Sequence, residues 1–302
     1  VRVFGDDDEL AETLCDLAVP HEDINTVVRM SRRVTDDPEL RAAVERSLAV
    51  LVEGMGEIRD GAELPELDWP SGPLQRYFPL YVLLAALPAV RAHHRDRAIP
   101  PEVGRRTLAD TGRCLAAHRR RYGTGGVLAP RWLTLHFRGE LYQLGRLQFQ
   151  RGRIGSWTGD SIAAAGLPVG TGDFGLGLHI PDFLGPLTPR AVDRSLELAR
   201  AFFARHYPDE PYQVVTCGSW LLDPQLKRYL PEGSNIVRFQ ERFHISRLPD
   251  EPEDDVPVRF VFGGAPDADV ERLPRRTALE RAVVDHLRGG GHWYVGHGWF
   301  RL

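Results

Sequence analysis

From Tyr142 to Pro224 the chain carries YQLGRLQFQ (142–150), GLGLHIPDFLGPLTP (175–189) and TCGSWLLDP (216–224). Each segment reads as an apolar strand that hands polar or reactive side chains to a loop, which is where a rigid scaffold positions working groups. His179 closes a glycine-spaced apolar run. Cys217 and Ser219 close VVTCGSW.

Outward from this stretch, the chain changes character near residue 124. Before it, apolar spacing predicts helices over 7–17, 38–52, 75–87 and 102–121. Pro38 and Pro101 sit where helices start. YGTGG at 122–126 is a break. After it the pattern predicts strands at 132–137, 141–152, 175–181, 212–219, 235–246 and 258–263. Helices are expected at 188–207, 223–230 and 277–288. In the first of these Thr188 caps, Pro189 starts, and Val192, Leu196, Ala199 and Phe203 share a face. Residues 249–257 and 264–276 read as solvated loops. The expected fold class is therefore α+β, with an all-helical domain at 1–123 followed by a mixed-sheet domain at 124–302.

Composition narrows the function classes. With 302 residues and 42% apolar side chains the chain is a globular protein of one large domain or two ordinary ones. A net charge of −4 offers no concentrated basic surface, so no nucleic-acid partner is expected. HRRR at 118–121 reads as the last turn of a helix, matched to its dipole. PLYVLLAALPAV at 79–90 fits a buried helix interrupted by Pro88 rather than a membrane span, and VRVFGDDDEL does not read as a signal peptide. Three scattered cysteines, Cys15, Cys114 and Cys217, predict a reducing cytoplasm with neither a disulfide framework nor a cysteine metal site.

LYQLGRLQFQ, GLHIP, GPLTPRAVDRSLELARAFFARHYP, CGSWLLDPQLKRYLPEGSNIVRFQERF and LPRRTALERAVVDHLRGGGHWYVGHGWF occur in that order. Together they resemble the bacterial acyltransferase domain-containing proteins, which join a helical N-acyltransferase N-terminal domain to a GNAT-like C-terminal domain. The resemblance extends over nearly the whole chain. It implies a V-shaped opening between two central parallel strands, at 175–181 and 213–218, that receives the pantetheine arm of acyl-CoA. It further implies a loop of amides before the helix at 188–207 that receives pyrophosphate. Ile180, Gly185, Thr188 and Arg190 are the cofactor-side candidates on that basis. This chain departs from the family's usual phosphate loop: PDFLGPLTP stands there, and its prolines remove donors, although Gly185 and the amides around Thr188 can still face an anion.

Acyl transfer to an amine needs a proton acceptor, donors for the oxyanion and a proton source for the thiolate. His179 is the candidate base, since a neutral imidazole accepts a proton at pH 7; a histidine bonded to backbone in a packed strand is the alternative. Asp182 can orient it or attract an ammonium, or cap the turn before Gly185. Ser219 can donate to the thiolate or the oxyanion, or serve as a turn hydroxyl. Cys217 invites a covalent Cys–His mechanism, against which stands a buried structural thiol. Tyr142, Gln148 and Gln150 are candidate substrate contacts on one face by period-two alternation, with Arg146 as an anion-binding wall; Gly145 is a candidate bulge. Trp132 and Trp220 read as core aromatics. His292 and His297 lack acidic or cysteine neighbours that would complete a metal set, and GGGHWYVGHGWF reads as a closing strand or loop.

Three functions fit. The first is direct attack of a small-molecule amine on acyl-CoA, a co-substrate rather than a tightly bound cofactor. The second is another enzyme on the same scaffold that uses His179 as acid–base without CoA, with a carrier-protein thioester among its donors. The third is a non-catalytic binding protein. Fold alone does not choose among them.

Overall fold

The computed structural model describes residues 4–65, 71–264 and 269–302. The chain forms two compact units, Val1–Gln143 and Leu144–Leu302.

The first unit is helical: α1 (Asp7–Asp16), α2 (His21–Asp36), α3 (Pro38–Val52), α4 (Pro73–Asp96), α5 (Pro101–Leu108), α6 (Asp110–Tyr122) and α7 (Pro130–Phe137). Local chemistry sets several starts. Asp6 and Glu9 form a capping box on α1, and Asp37 accepts from the Glu39 and Leu40 amides ahead of Pro38. The segment expected at 75–87 extends to 73–96, running through both Pro79 and Pro88. Leu80, Tyr81, Val82 and Leu83 are all buried in succession, so this helix lies in the core on every side, and burial outweighs the proline penalty. The helix expected at 102–121 is divided at Ala109 into α5 and α6. The segment at 132–137, expected as a strand, is α7. Leu133 to Phe137 are all buried, which erases the period that would mark a helix, while Pro130 at its first turn favours one.

Burial in this unit includes a full ion pair. Arg138 Nε donates to Glu140 Oε1 at 2.8 Å, and the same guanidinium reaches the carbonyls of Leu51, Glu53 and Gly54 at 2.7–3.0 Å. Glu140 Oε2 accepts from the amides of Arg59 and Gly61. The pair thereby ties the end of α3 and the loop beyond it to the end of α7.

β1 (Leu141–Leu144) and β2 (Leu147–Arg153) follow, joined by Gly145 and Arg146. Then come α8 (Ser156–Ala164), β3 (Phe174–His179), α9 (Pro189–His206), β4 (Val214–Ser219), α10 (Asn235–Gln240), β5 (His244–Arg247), α11 (Asp255–Phe262), α12 (Ala278–Arg288) and β6 (Gly296–Arg301). The sheet order is β1-β2-β3-β4-β6-β5, with β3 and β4 parallel and β2·β3, β4·β6 and β5·β6 antiparallel. This is the expected α+β class.

Several local expectations change. Gly145 at φ +72° is a turn residue between two strands rather than a bulge in one, so the chain reverses between Tyr142 and Gln148. Residues 235–246 divide into α10, capped by Ser234, and β5. Residues 258–263 belong to α11, which ends on Gly263 at φ +66° and starts inside the expected acidic loop. Residues 223–230 hold only a short 3-10 turn, Pro224–Arg228. Of the loop expected at 264–276, residues 265–268 lie outside the described residues. The C-terminal segment is β6, an interior strand. Among the described residues, no helix is long and apolar enough to cross a membrane.

Two predictions follow from the helical unit. Arg138→Met leaves Glu140 buried without its cation and should cost about 3–5 kcal/mol, read from urea unfolding. His94, buried beside His93, is pushed down to about 4 by burial, so it is neutral in the folded state at neutral pH. The unfolded chain takes up that proton first, near its ordinary pKa. The stability is therefore complete above about pH 6.5 and lost as pH falls towards 4, on the order of 2 kcal/mol at pH 5. Unfolding midpoints at pH 7.5 and 5 should diverge for the native chain and diverge markedly less for His94→Gln.

Candidate active site

β3 and β4 are each fully paired on their outer sides: β3 to β2 from Phe174 to His179, β4 to β6 from Val214 to Ser219. Their mutual parallel ladder includes only Leu176↔Val215 and Gly177↔Thr216. Beyond these pairs each strand runs on, one to His179 and the other through Cys217 to Ser219, with no shared register. The ends flank an opening at the centre of the sheet.

Register and alternation fix which side chains share a face. Gln148 pairs with His179, Gln150 with Gly177, Gly177 with Thr216, Thr216 with Trp299, and the Cα partner of Gly218 is His297. Gln148, Gln150, Gly175, Gly177, His179, Thr216, Gly218, His297 and Trp299 therefore lie on one face. α8 covers part of it: Ile154, Ile162, Val214 and Trp299 form a small core, and Trp299 Nε1 donates to Ser161 Oγ at 2.9 Å. The other face carries Leu176, Leu178, Val215 and Cys217, all buried, and suits the apolar stripe of α9.

His179 is half-buried, and its Nε2 lies 2.9 Å from Gln150 Oε1. A carbonyl oxygen can only accept, so Nε2 carries the proton and Nδ1 the basic lone pair. Gly177 lies directly beside this contact: a Cβ there would stand in ordinary van der Waals contact, 3.4 Å from Gln150 Cβ and 3.5 Å from His179 Nε2. Gln148 is 1% exposed beside them.

The remaining candidates fall elsewhere. Arg146 Nε and one terminal nitrogen donate to the carbonyls of Gly185 and Pro181, both at 2.9 Å, fastening the loop that leaves β3. Within that loop Phe183 sits at φ +62° with its side chain 58% exposed, and Asp182 is exposed. Ile180 is half-buried at the strand end. Gly185 takes φ +75°, Thr188 caps α9 through the Ala191 amide at 3.2 Å, and Arg190 is exposed in the first turn. Tyr142 is fully buried in the first unit, its ring 6.1 Å from that of His94. Ser219 Oγ accepts from the Leu221 amide at 3.1 Å as a turn cap, and alternation turns it away from His179. Cys217 also points away; it is 5% exposed and burial pushes its thiol up to about 12, which removes the thiolate a Cys–His mechanism requires.

A cavity of about 330 Å³ opens on the His179 face, between Gly155–Thr158 at the start of α8, Thr216–Gly218 of β4 and His297–Gly298 of β6. Its lining contains no acidic residue. The sequence reading missed it. The signal was the alternation of glycines in GLGLH together with Gly218, which strips side chains from the His179 face of β3 and β4, but the partner strands become known only from the register. No group of three His, Cys, Asp or Glu residues able to hold a metal occurs among the described residues.

Comparison with known proteins divides the chain along the same lines. Residues 8–139 match the model of an N-acyltransferase N-terminal domain, and residues 141–300 that of a GNAT-like C-terminal domain. A solved acyltransferase in complex with decanoyl-CoA and teicoplanin is 39% identical with a TM-score of 0.87, over 98% of this chain and 88% of that one. An acyltransferase in complex with decanoyl-CoA gives the same identity and TM-score over 99% and 89%. A third, with CoA and 10C-teicoplanin, matches over 98% and 88%, again at 39% identity and TM-score 0.87. No curated protein sequence matches.

The burial of Cys217 is directly checkable. With iodoacetamide at pH 8, exposed Cys15 should be alkylated at least about tenfold faster than Cys217. Equal labelling rates in the folded protein, read by peptide mass spectrometry, would contradict the buried placement.

Proposed function

Because the chain belongs to the family that joins an N-acyltransferase N-terminal domain to a GNAT-like C-terminal domain, we propose that it moves an acyl group from acyl-CoA to a small-molecule amine by direct attack. The observation that carries this reading is the interrupted ladder between β3 and β4 with His179 at its edge. Such a gap admits a thin pantetheine arm and brings its thioester to the base.

In this reading the neutral amine attacks the thioester carbon, and its proton passes to His179 Nδ1 as the carbon–nitrogen bond forms. The hydrogen bond to Gln150 holds the ring in that tautomer and steadies the imidazolium. When the carbon–sulfur bond breaks, the proton returns to the sulfur, so the products are the amide and CoA thiol. No covalent enzyme intermediate is needed, in keeping with the buried thiol of Cys217. Arg146 holds the loop 181–185 in place for the donor, while Gly185, Thr188 and Arg190 at the start of α9 face its pyrophosphate. Exposed Asp182 attracts the ammonium form of the acceptor before it loses its proton.

CoA as donor, rather than a carrier protein, is supported by the solved neighbours, which hold CoA or decanoyl-CoA. Medium-length acyl groups are the first donors to try, and teicoplanin, held by two neighbours, the first acceptor. The reaction belongs to the cytoplasm, where CoA is abundant and three free cysteines stay reduced.

Calorimetry with CoA and decanoyl-CoA should show saturable binding at one site per chain; no binding at millimolar CoA would reject the donor assignment. His179→Ala should lower kcat at least about tenfold with little change in KM for decanoyl-CoA. A variant with undiminished kcat would exclude His179 as the base.

A further inference from the structure

The cavity beside α8 lies on the same sheet face as His179 and extends from β4, the next strand, to β6, two strands away, and the reaction proposed above assigns it no role. Half-buried His297 is part of its lining. That ring lies over Gly218: a Cβ at 218 would stand 3.1 Å from His297 Cε1 and 3.2 Å from Nδ1. A side chain there would crowd the ring, so Gly218 leaves room for His297. The ring nitrogens of His297 make no hydrogen bond to another described residue. Burial, assisted by the charge of Arg247 and opposed by that of Glu253, lowers the pKa of His297. The ring is therefore neutral at pH 7, able to donate from one nitrogen and accept at the other.

We propose that this cavity seats the body of the amine acceptor, with His297 hydrogen-bonding a neutral hydroxyl or amide group of it. This rests on the acyl-transfer reading of His179. The lining suits that class of group. Ser156, Thr158 and Thr216 bring hydroxyl-bearing residues to it. With no carboxylate in the lining and Arg247 stacked 3.8 Å from the Trp157 ring centroid, it does not favour an ammonium. The amine must then reach out of the cavity to His179. Two strand spacings separate the β3 and β6 backbones, about 10 Å. The acceptor therefore carries its amine several bonds from the group that His297 reads, and short amines bind poorly.

Three probes separate these features: 8-amino-1-octanol, n-octylamine, which has the same chain without the hydroxyl, and 2-aminoethanol, which is too short to span. Calorimetry is done on CoA-loaded native enzyme and on His297→Gln and His297→Leu. The native enzyme should bind 8-amino-1-octanol at least about fivefold tighter than either other probe, a preference that exposure of a hydroxyl to water alone would not give. His297→Leu should abolish the preference and His297→Gln retain part of it, with CoA affinity unchanged in all three. Absence of the preference in the native enzyme, including failure of all three amines to bind, overturns the proposal. So does a preference that survives His297→Leu, or a variant that loses CoA affinity instead, which would give the cavity to the donor. Failure of native enzyme to bind CoA would defeat the acyl-transfer reading itself, a separate result.

Discussion

The hydrogen bond between His179 and Gln150 is the interaction from which the site develops. Gly177 lies beside it, between Gln150 and Thr216 across the sheet and two residues before His179 on its own strand. Gly175 and Gly218 extend the same bare surface along β3 and across to β4. A central strand ordinarily prefers β-branched residues, and each glycine weakens it. The loss is tolerable because the opposite face of the same strands is fully apolar: Leu176, Leu178 and Val215 remain buried. One face of the sheet thus supplies stability and the other supplies room.

The polar groups around this face are held by different means. His179 is fixed by one neutral hydrogen bond from a neighbouring strand, which sets a tautomer without imposing a charge. The loop beyond it is fastened by Arg146, whose fork spans the carbonyls on either side of Phe183 and keeps that residue at φ +62°, a conformation costly for a bulky side chain. A cation expected to meet an anionic substrate is therefore engaged by backbone. On the far side of β2, the Arg151 guanidinium pairs with Glu210 and stacks 4.0 Å from the Tyr207 ring centroid, joining the strand to the segment after α9. These charges organise backbone and leave the chemistry to neutral groups.

The helical unit shows the same economy in another form. Arg138 and Glu140 are both buried, and between them they satisfy one carbonyl at the end of α3 and two carbonyls and two amides of the irregular loop beyond it. Such groups need partners when water is excluded. A pair of this kind adds little net stability over an apolar core but makes one arrangement of the loop far better than others.

What the sequence by itself determined was wherever a local signal was complete. Thr188 and Pro189 marked the start of α9, its four apolar positions marked one buried face, and the glycine-spaced run ending at His179 marked β3. The helical beginning and the mixed sheet beyond it were legible on the same grounds. The sequence failed where burial is complete, because a helix buried on all sides, such as α7, has no periodicity to distinguish it from a strand. It failed also where meaning depends on a partner. Whether Gln150, Thr216 and His297 share a face with His179 is set by strand order and register between residues as much as 147 positions apart, Gln150 and His297. Side chains alternate with a period of two, so a one-residue slip would have turned any of them away. Only the tertiary pairing decides that, because the hydrogen bonds that fix the register join backbone groups and leave no trace in the identity of the residues they align.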